Sequence, residues 1–381
     1  MRLLQERAPP GNRMTSATQV VLGIETSCDE TAAAVVRLGP DGVVQVMSSV
    51  IASQIAAHAP FGGVVPEIAA RAHVESIDTI CAQALADAGV GFDGLTGVAA
   101  TAGPGLVGGV MVGLSFGKAV ALARGLPLVA VNHLEGHAVS ARLAAEVGYP
   151  FLLLLVSGGH CQLLAVAGVG DCRRLGSTID DAAGEAFDKI AKTLGLPYPG
   201  GPALEKLAES GDAERFTLPR MLLGRKDCDF SFSGLKTAAA RVAEGLTPGP
   251  SGDAERADLA AAVQAAIATQ LAERSDRAMA NYAIAHGGQG LRFVVAGGVA
   301  ANKAVRARLQ AVAEARGFSF TAPPLAYCTD NAAMIALAGA ERLALGISDP
   351  LDAPARPRWP LDAAAASANP THLPGRKGAK A

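Results

Sequence analysis

Short apolar runs that each stop in a glycine- or threonine-rich turn set the strongest limit on what this chain can fold into. Val20 to Thr26 is one, closed by the polar turn Thr26 to Thr31. Phe151 to Val156 ends in Ser157-Gly158-Gly159-His160, and Leu291 to Ala296 ends in Gly297-Gly298-Val299. Runs of this length between such turns read as buried strands. Glycine lets successive backbone N–H groups come close to an anion. One such turn is ordinary punctuation, but three at corresponding places suit a nucleotide. No G-x-x-x-x-G-K-[ST] loop occurs, and the G-x-G-x-x-G fingerprint is missing after the first strand. Neither a P-loop nor a Rossmann site is therefore expected.

The elements around those runs repeat. Three strands (Val20 to Thr26, Ala32 to Arg37, Val43 to Ile51) precede a helix from Pro66 to Asp87. A strand at Leu95 to Thr101, a helix at Leu106 to Arg124, a strand at Leu126 to Val131 and a helix opening at His133 follow. The same order returns with strands at Phe151 to Val156, Cys161 to Ala167 and about Cys172 to Ser177. A helix from Ala182 to Leu194 and a long one from roughly Ala257 to His286 come next. After the strand Leu291 to Ala296 come a helix behind Ala300-Ala301-Asn302, a strand at Phe318 to Thr321, and a last helix from Asn331. Strands alternating with helices make α/β layers. Two βββαβαβα units in tandem imply a duplicated α/β architecture with a ligand-binding cleft between halves. The expected division is a disordered leader (1–18), a first unit (19–149), a second unit (150–348) with an insertion at about 200–247, and a flexible tail (349–381).

Of the 381 residues half are hydrophobic, ample for cores of two or three domains. The formal net charge of -2 gives no global nucleic-acid signature, so any such surface must be local. The six cysteines form no C-x-x-C pair and no framework spacing, which points to a reducing cytoplasm and away from a cysteine-ligated zinc. The longest apolar candidate, Gly105 to Ala123, carries several glycines and Lys118 and reads as a buried helix, so no membrane span is expected.

His133-Leu-Glu-Gly-His137 opens the helix that closes the first unit. Residues four apart share a helix face, so both imidazoles could grip one ion, or simply form a polar helix start. Glu135 falls about 200° from His133 at helical spacing and points away from a shared metal, which excludes a protease of the H-E-x-x-H type. Asp330 directly precedes the last helix, where it reads as an N-cap or as a third ligand that leaves coordination positions open. Ile179 to Pro202 gathers Asp180, Asp181, Glu185 and Asp188 before the corner Pro199-Gly200-Gly201-Pro202. Those acids suit either a solvated helix face or hydrogen bonds to ligand hydroxyls.

Longer strings are more specific. GIETSCDET (Gly23 to Thr31), HLEGH, LLVSGGH (Leu154 to His160), DDAAGEAFDK (Asp180 to Lys189), YPGGP (Tyr198 to Pro202), FSFSGLKTA (Phe230 to Ala238), AGGVAANKAVR (Ala296 to Arg306) and YCTDNAAMIA (Tyr327 to Ala336) run in order over about Val20 to Gly346. In these the chain closely resembles the universal tRNA threonylcarbamoyladenosine transferase family, bacterial or organellar branch. The resemblance implies the ASKHA fold shared by actin, Hsp70 and sugar kinases. It also implies transfer of a threonylcarbamoyl group from threonylcarbamoyl-adenylate to N6 of the adenosine just 3′ of the anticodon, in tRNAs reading codons that begin with A, with AMP leaving.

By the same resemblance His133, His137 and Asp330 bind one divalent metal, iron or zinc. The intermediate, or ATP, lies across Leu155, Val156, Ser157, Gly158, Gly159, Asp188, Gly201 and Asn302, with Glu205 added. The expected partners are tRNA, a paralogue of the same fold and a small P-loop ATPase, with no membrane. The donor is an activated mixed anhydride, so the task is to hold it beside a weakly nucleophilic amine. Backbone N–H groups at Ser157 to Gly159 are placed to cradle the developing anion. Asp29 and Glu30 are candidates to take the amine proton. Arg225, Lys226, Lys236, Lys303 and Arg306 are candidates for RNA phosphates. A small-molecule kinase of the same fold and a nucleotide-binding scaffold are the alternatives. A kinase would need an Asp base and Mg²⁺ rather than imidazoles, and a scaffold would be expected to lack both histidines.

Overall fold

The computed structural model describes residues 17–289 and 291–368. Most of the expected leader and the end of the expected tail, 369–381, lie outside them. The first sheet holds β1 (Gln19–Glu25), β2 (Glu30–Leu38), β3 (Val44–Ser53), β4 (Gly97–Gly103) and β5 (Leu128–Asn132), in the order β3-β2-β1-β4-β5. The second holds β6 (Phe151–Val156), β7 (Cys161–Gly168), β8 (Asp171–Ser177), β9 (Arg292–Ala296) and β10 (Ser319–Thr321), in the order β10-β9-β6-β7-β8. In each sheet the first three strands pair antiparallel and the last two join in parallel. Strand for strand the two sheets have the same topology, as the repeated order predicts.

The helices are α1 (Ile55–His58), α2 (Pro66–Ala88), α3 (Val107–Arg124), α4 (His133–Val139), α5 (Ala183–Thr193), α6 (Gly200–Ala208), α7 (Ser233–Glu244), α8 (Pro250–Ala285), α9 (Lys303–Ala315), α10 (Ala332–Ala344) and α11 (Ala363–Ala368). The long helix α8 starts at Pro250 rather than near Ala257. Proline at the first helical position costs no hydrogen bond, and its fixed φ suits the helix. The segment read as an insertion forms α6 and α7. Their Leu204, Ala208, Leu235 and Ala239 enter the core of the second lobe.

One feature of the packing decides where the site lies. Leu134 and Ala138 of α4 pack on the second sheet, against Phe151, Leu153, Leu155, Val294 and Ala296. The corresponding helix of the second unit, α10, packs on the first sheet, against Val21, Ala34, Ala99 and Val129. Each unit thus lends its last helix to the other's sheet, and α4 and α10 lie side by side between the sheets. Burying Leu134 and Ile335 stabilises this exchange by about 1.5–3 kcal/mol per side chain. α10 sits on the first sheet despite its late place in the chain.

The exchange needs close contact of backbones. A Cβ on Gly23 of β1 would stand 2.3 Å from the Ala332 carbonyl oxygen and 2.6 Å from the Ala336 nitrogen. Rigid backbone cannot yield as a side chain does, so Gly23→Val is expected to lift α10 off the sheet. The expected cost is about 1–3 kcal/mol or more, read as a fall in the urea midpoint. An unchanged midpoint would contradict the packing.

Two expectations need correction. Asp349 onward, read from its Pro and Ala content as a loose tail, is laid down along the first lobe to Trp359 and then against the second, where Asp362 Oδ2 accepts from Arg174 N–H of β8 at 2.9 Å. Asp349 N–H donates to the Leu128 carbonyl at 2.7 Å, and its Oδ2 accepts from Ala130 N–H at 2.9 Å, covering the free edge of β5. Further on, Arg356 N–H donates to Ala102 O at 2.7 Å, and Asn132 Nδ2 donates to Trp359 O at 2.9 Å. Backbone and Asx hydrogen bonds hold this stretch, and composition does not register them. The second concerns α3, which by length and composition could cross a membrane. Only one face of it is buried, through Val110, Leu114 and Ala121. Val107, Met111 and Leu122 are exposed, so it is a layer helix with an apolar outer side rather than a fully buried one.

Candidate metal centre and cleft

Asn132 ends β5 and caps α4, its Oδ1 accepting from Leu134 N–H at 2.9 Å. The first turn of α4 is held there, and His133 and His137 face the same way. Neither forms a solvated helix start, since both are buried, His137 completely. Asp330 arrives from the far end of the chain because α10 crosses between the sheets. The cap of α10 is Asn331, whose Oδ1 accepts from Met334 N–H at 3.0 Å. Asp330 is therefore not the N-cap, and its carboxylate is left to face the imidazoles. His137 Nε2 lies 3.1 Å and His133 Nε2 3.5 Å from Asp330 Oδ1. Ligands at ordinary zinc distances in a tetrahedron stand roughly 3.3 Å apart, so the donor atoms fit one ion. Two imidazoles and a carboxylate suit zinc or ferrous iron with positions left open.

Behind His133 stands Glu25, the last residue of β1. Its Oε2 is 2.9 Å from His133 Nδ1 and accepts from Thr101 Oγ1 at 2.6 Å, while its Oε1 accepts from Ser27 N–H at 2.5 Å. Sequence reasoning missed this residue. The available signal was a carboxylate ending a strand buried on both faces, where a charge is costly without partners. Burial opposes charge on His133, but Asp330 and Glu25 outweigh it and hold the imidazolium up to about 9. Burial also opposes charge on Asp330, yet His133, His137 and His160 keep its carboxyl well below the usual range. Glu135 points away, as expected, and pairs with Arg342 at 2.6 Å.

The glycine turns close on the same cleft. His160, ending the Ser157 turn, lies near enough to act on Asp330. Gly297 (φ 98°) passes so close to Val156 that a Cβ would meet its carbonyl oxygen at 2.4 Å. Gly158 and Gly159 are exposed, and their amides donate to no backbone carbonyl among the described residues. Ser157 N–H is already spent on His160 O at 2.8 Å, so the cradle is narrower than expected. The side chains of Leu155 and Val156 lie fully in the core, on opposite faces of the second sheet. Only their backbone could touch a ligand.

Asp188 Oδ1 accepts from Gly201 N–H at 3.1 Å, which ties α5 to the glycine corner. Asn302 caps α9 through Val305 N–H and donates to Gln264 at 2.8 Å. Glu205 accepts from the Lys303 amide at 2.7 Å, on the flank of the same helix start. Among the basic residues, Lys236 is held by Asp181 and Arg306 by the carbonyls of Ala300 and Pro323, so neither is poised for phosphate. Arg225 is paired with Asp227 and Asp229.

Asp29 and Glu30 sit on the first turn, with Tyr198 of the other lobe donating to Asp29 Oδ2 at 3.3 Å. Burial, then Asp330 and Asp29, push Glu30 up to about 9. A folded-state value above the ordinary one means the folded protein binds the proton more tightly. The associated stability is full below about 4.5 and is lost as pH rises toward about 9. In chelator-treated protein, Glu30→Gln is expected to raise the stability at pH 8 by about 1–3 kcal/mol, read from urea midpoints, and to change it little at pH 4. An equal gain at both pH values would show that the effect is not ionisation.

The comparisons match this architecture. The family model described as TsaD, tRNA N6-adenosine threonylcarbamoyltransferase, covers residues 45–337. The protein of that name from Caulobacter vibrioides is 76% identical over 97% of this chain and 100% of its own length. The one from Maricaulis maris is 58% identical over 98% and 99%. Among solved structures, HypF of T. kodakarensis superposes with a TM-score of 0.52 at 13% identity, over 87% of this chain and 48% of that one. That likeness concerns the fold, the duplicated ASKHA-type architecture described above. With matching length, matching motifs and the two imidazoles and carboxylate meeting in its cleft, the chain belongs to the tRNA N6-adenosine threonylcarbamoyltransferase family.

Proposed function

We propose that the chain transfers the threonylcarbamoyl group of L-threonylcarbamoyladenylate to N6 of adenosine-37 in tRNAs reading ANN codons, forming threonylcarbamoyladenosine and AMP. The observation that carries the reading is the convergence of His133, His137 and Asp330 in a member of this family. The N6 nitrogen attacks the carbamoyl carbon, the carbon–oxygen bond to phosphate breaks, and the amine proton must leave. Both lobes contribute to holding the partners, which is where proximity acts. The Gly158 and Gly159 amides donate to the developing anion. Asp29 and Glu30, on the first turn, are placed to take the amine proton. Asp188, Gly201, Asn302 and Glu205 frame the adenylate, or ATP in its place. His133, His137 and Asp330 would hold one zinc or ferrous ion per chain, which would supply a Lewis acid toward phosphate or carbonyl oxygen.

The lobes that act are the two units, 19–149 and 150–348, with α10 counted with the first. A cytoplasmic location is supported by six unpaired thiols. The exposed apolar residues Val74, Val107, Met111 and Leu122 on α2 and α3 suit protein partners, for which we name a same-fold paralogue and a small P-loop ATPase. Depleting the protein is expected to remove threonylcarbamoyladenosine from tRNA hydrolysates, and restoring it to bring the nucleoside back. Unchanged nucleoside after full depletion would overturn the reading.

A further inference from the structure

We propose that Glu25 is a positioning residue that sets the tautomer of His133 and thereby makes its Nε2 a metal ligand. The inference rests on the metal reading above and concerns a residue outside the donor set. Glu25 is fully buried, and each of its oxygens is engaged. Ser27 N–H is a fixed donor to Oε1 at 2.5 Å, and Thr101 Oγ1 donates to Oε2 at 2.6 Å. A carboxylate only accepts, so the contact of 2.9 Å to His133 Nδ1 requires the hydrogen on Nδ1. When a cation displaces the second proton of the imidazolium, the lone pair is therefore on Nε2, the atom that faces Asp330 Oδ1 at 3.5 Å. Histidine ligands are held this way by a carboxylate behind the ring, which fixes ring angle as well as proton. His137 differs, because its Nδ1 is buried without a partner among the described residues. Of the two imidazoles only His133 carries such a brace.

The isosteric change Glu25→Gln tests this without opening a cavity. Its single oxygen must face the Ser27 amide, so its NH₂ faces Thr101 Oγ1, which can rotate to accept, and His133 Nδ1. Facing that NH₂, and with the Ser27 hydroxyl at 3.1 Å able to rotate and donate, the nitrogen accepts, and the proton moves to Nε2, where it blocks coordination. Chelator-stripped full-length protein is titrated with Zn²⁺ against a chromophoric chelator, and with Co²⁺ for its visible spectrum. Wild type should bind one equivalent, and His133→Ala should lose it. Glu25→Gln should bind about 10–100-fold more weakly, with an altered cobalt spectrum and a metal-free protein that still unfolds cooperatively. Thr101→Val removes a hydrogen bond to the same carboxylate but leaves the tautomer alone, so its affinity should stay near wild type. Wild-type affinity in Glu25→Gln, or an equal loss in Thr101→Val, would overturn the role of Glu25 alone. Wild-type affinity in His133→Ala would remove the metal reading and this inference with it.

Discussion

His137→Ala is expected to abolish threonylcarbamoyl transfer and strip the bound divalent ion while leaving the protein folded. The ring is wholly buried, and its Nε2 lies 3.1 Å from Asp330. Losing one of three protein donors leaves too few to hold an ion against water. A Lewis-acid contribution of about 4 kcal/mol corresponds to a loss of roughly a thousandfold in rate. Fold retention follows from the other side of the ring. His137 Nδ1 has no hydrogen-bond partner among the described residues, so removing it leaves no new buried orphan. His133→Ala should be equally inactive but less stable, by about 1–3 kcal/mol, because Glu25 would lose the imidazolium that compensates its buried charge. Metal content, tRNA nucleoside analysis and urea midpoints on the same preparations separate these effects. An active His137→Ala protein without metal would refute the assignment.

The second large effect is expected at Arg342. It pairs with Glu135 at 2.6 Å through Nη2 and at 3.1 Å through Nε, and the Glu135 side chain is only 5% exposed. This ion pair joins α4 to α10, the two helices whose starts carry the metal donors. Arg342→Ala would strand a buried carboxylate and is expected to cost about 3–5 kcal/mol. The double change Glu135→Gln with Arg342→Met removes both charges and should recover most of that loss. A nearby second link, Arg142 and Tyr149 to Glu341 at 2.7 Å each, keeps α10 anchored in either variant. If the single change proves neutral in urea denaturation, the exchanged helices do not depend on this pair. A fall in metal affinity greater than the loss of stability would show that the pair also sets the approach of Asp330.

Much of this protein was legible from local pattern. Periodicity and turn residues located the strands and most helices, because a strand buried on both faces has to be an apolar run and a helix with one buried face has to repeat apolar residues every third or fourth place. Spacing also placed His133 and His137 on one face and Glu135 away from them. The start of α8 was misplaced because Pro250-Ser-Gly-Asp reads equally as a turn, and the described part of the tail was read as loose because its hydrogen bonds are made by backbone atoms. Leu155 and Val156 belong to a motif string, yet a string cannot tell a side chain in the core from a backbone group in the cleft.

What the chain determined alone was the periodic order of its elements, their duplication, and the donor chemistry of residues four apart, all properties of neighbours along the backbone. Only the tertiary structure decided that the last helix of each unit lies on the other's sheet. That exchange brings Asp330, 193 residues beyond His137, to 3.1 Å from it and leaves Asn331 to cap α10. It also decided that Glu25 stands behind His133, a contact across 108 residues. Contacts of this kind depend on which apolar faces cover one another, and that choice is made by the whole core rather than by any segment.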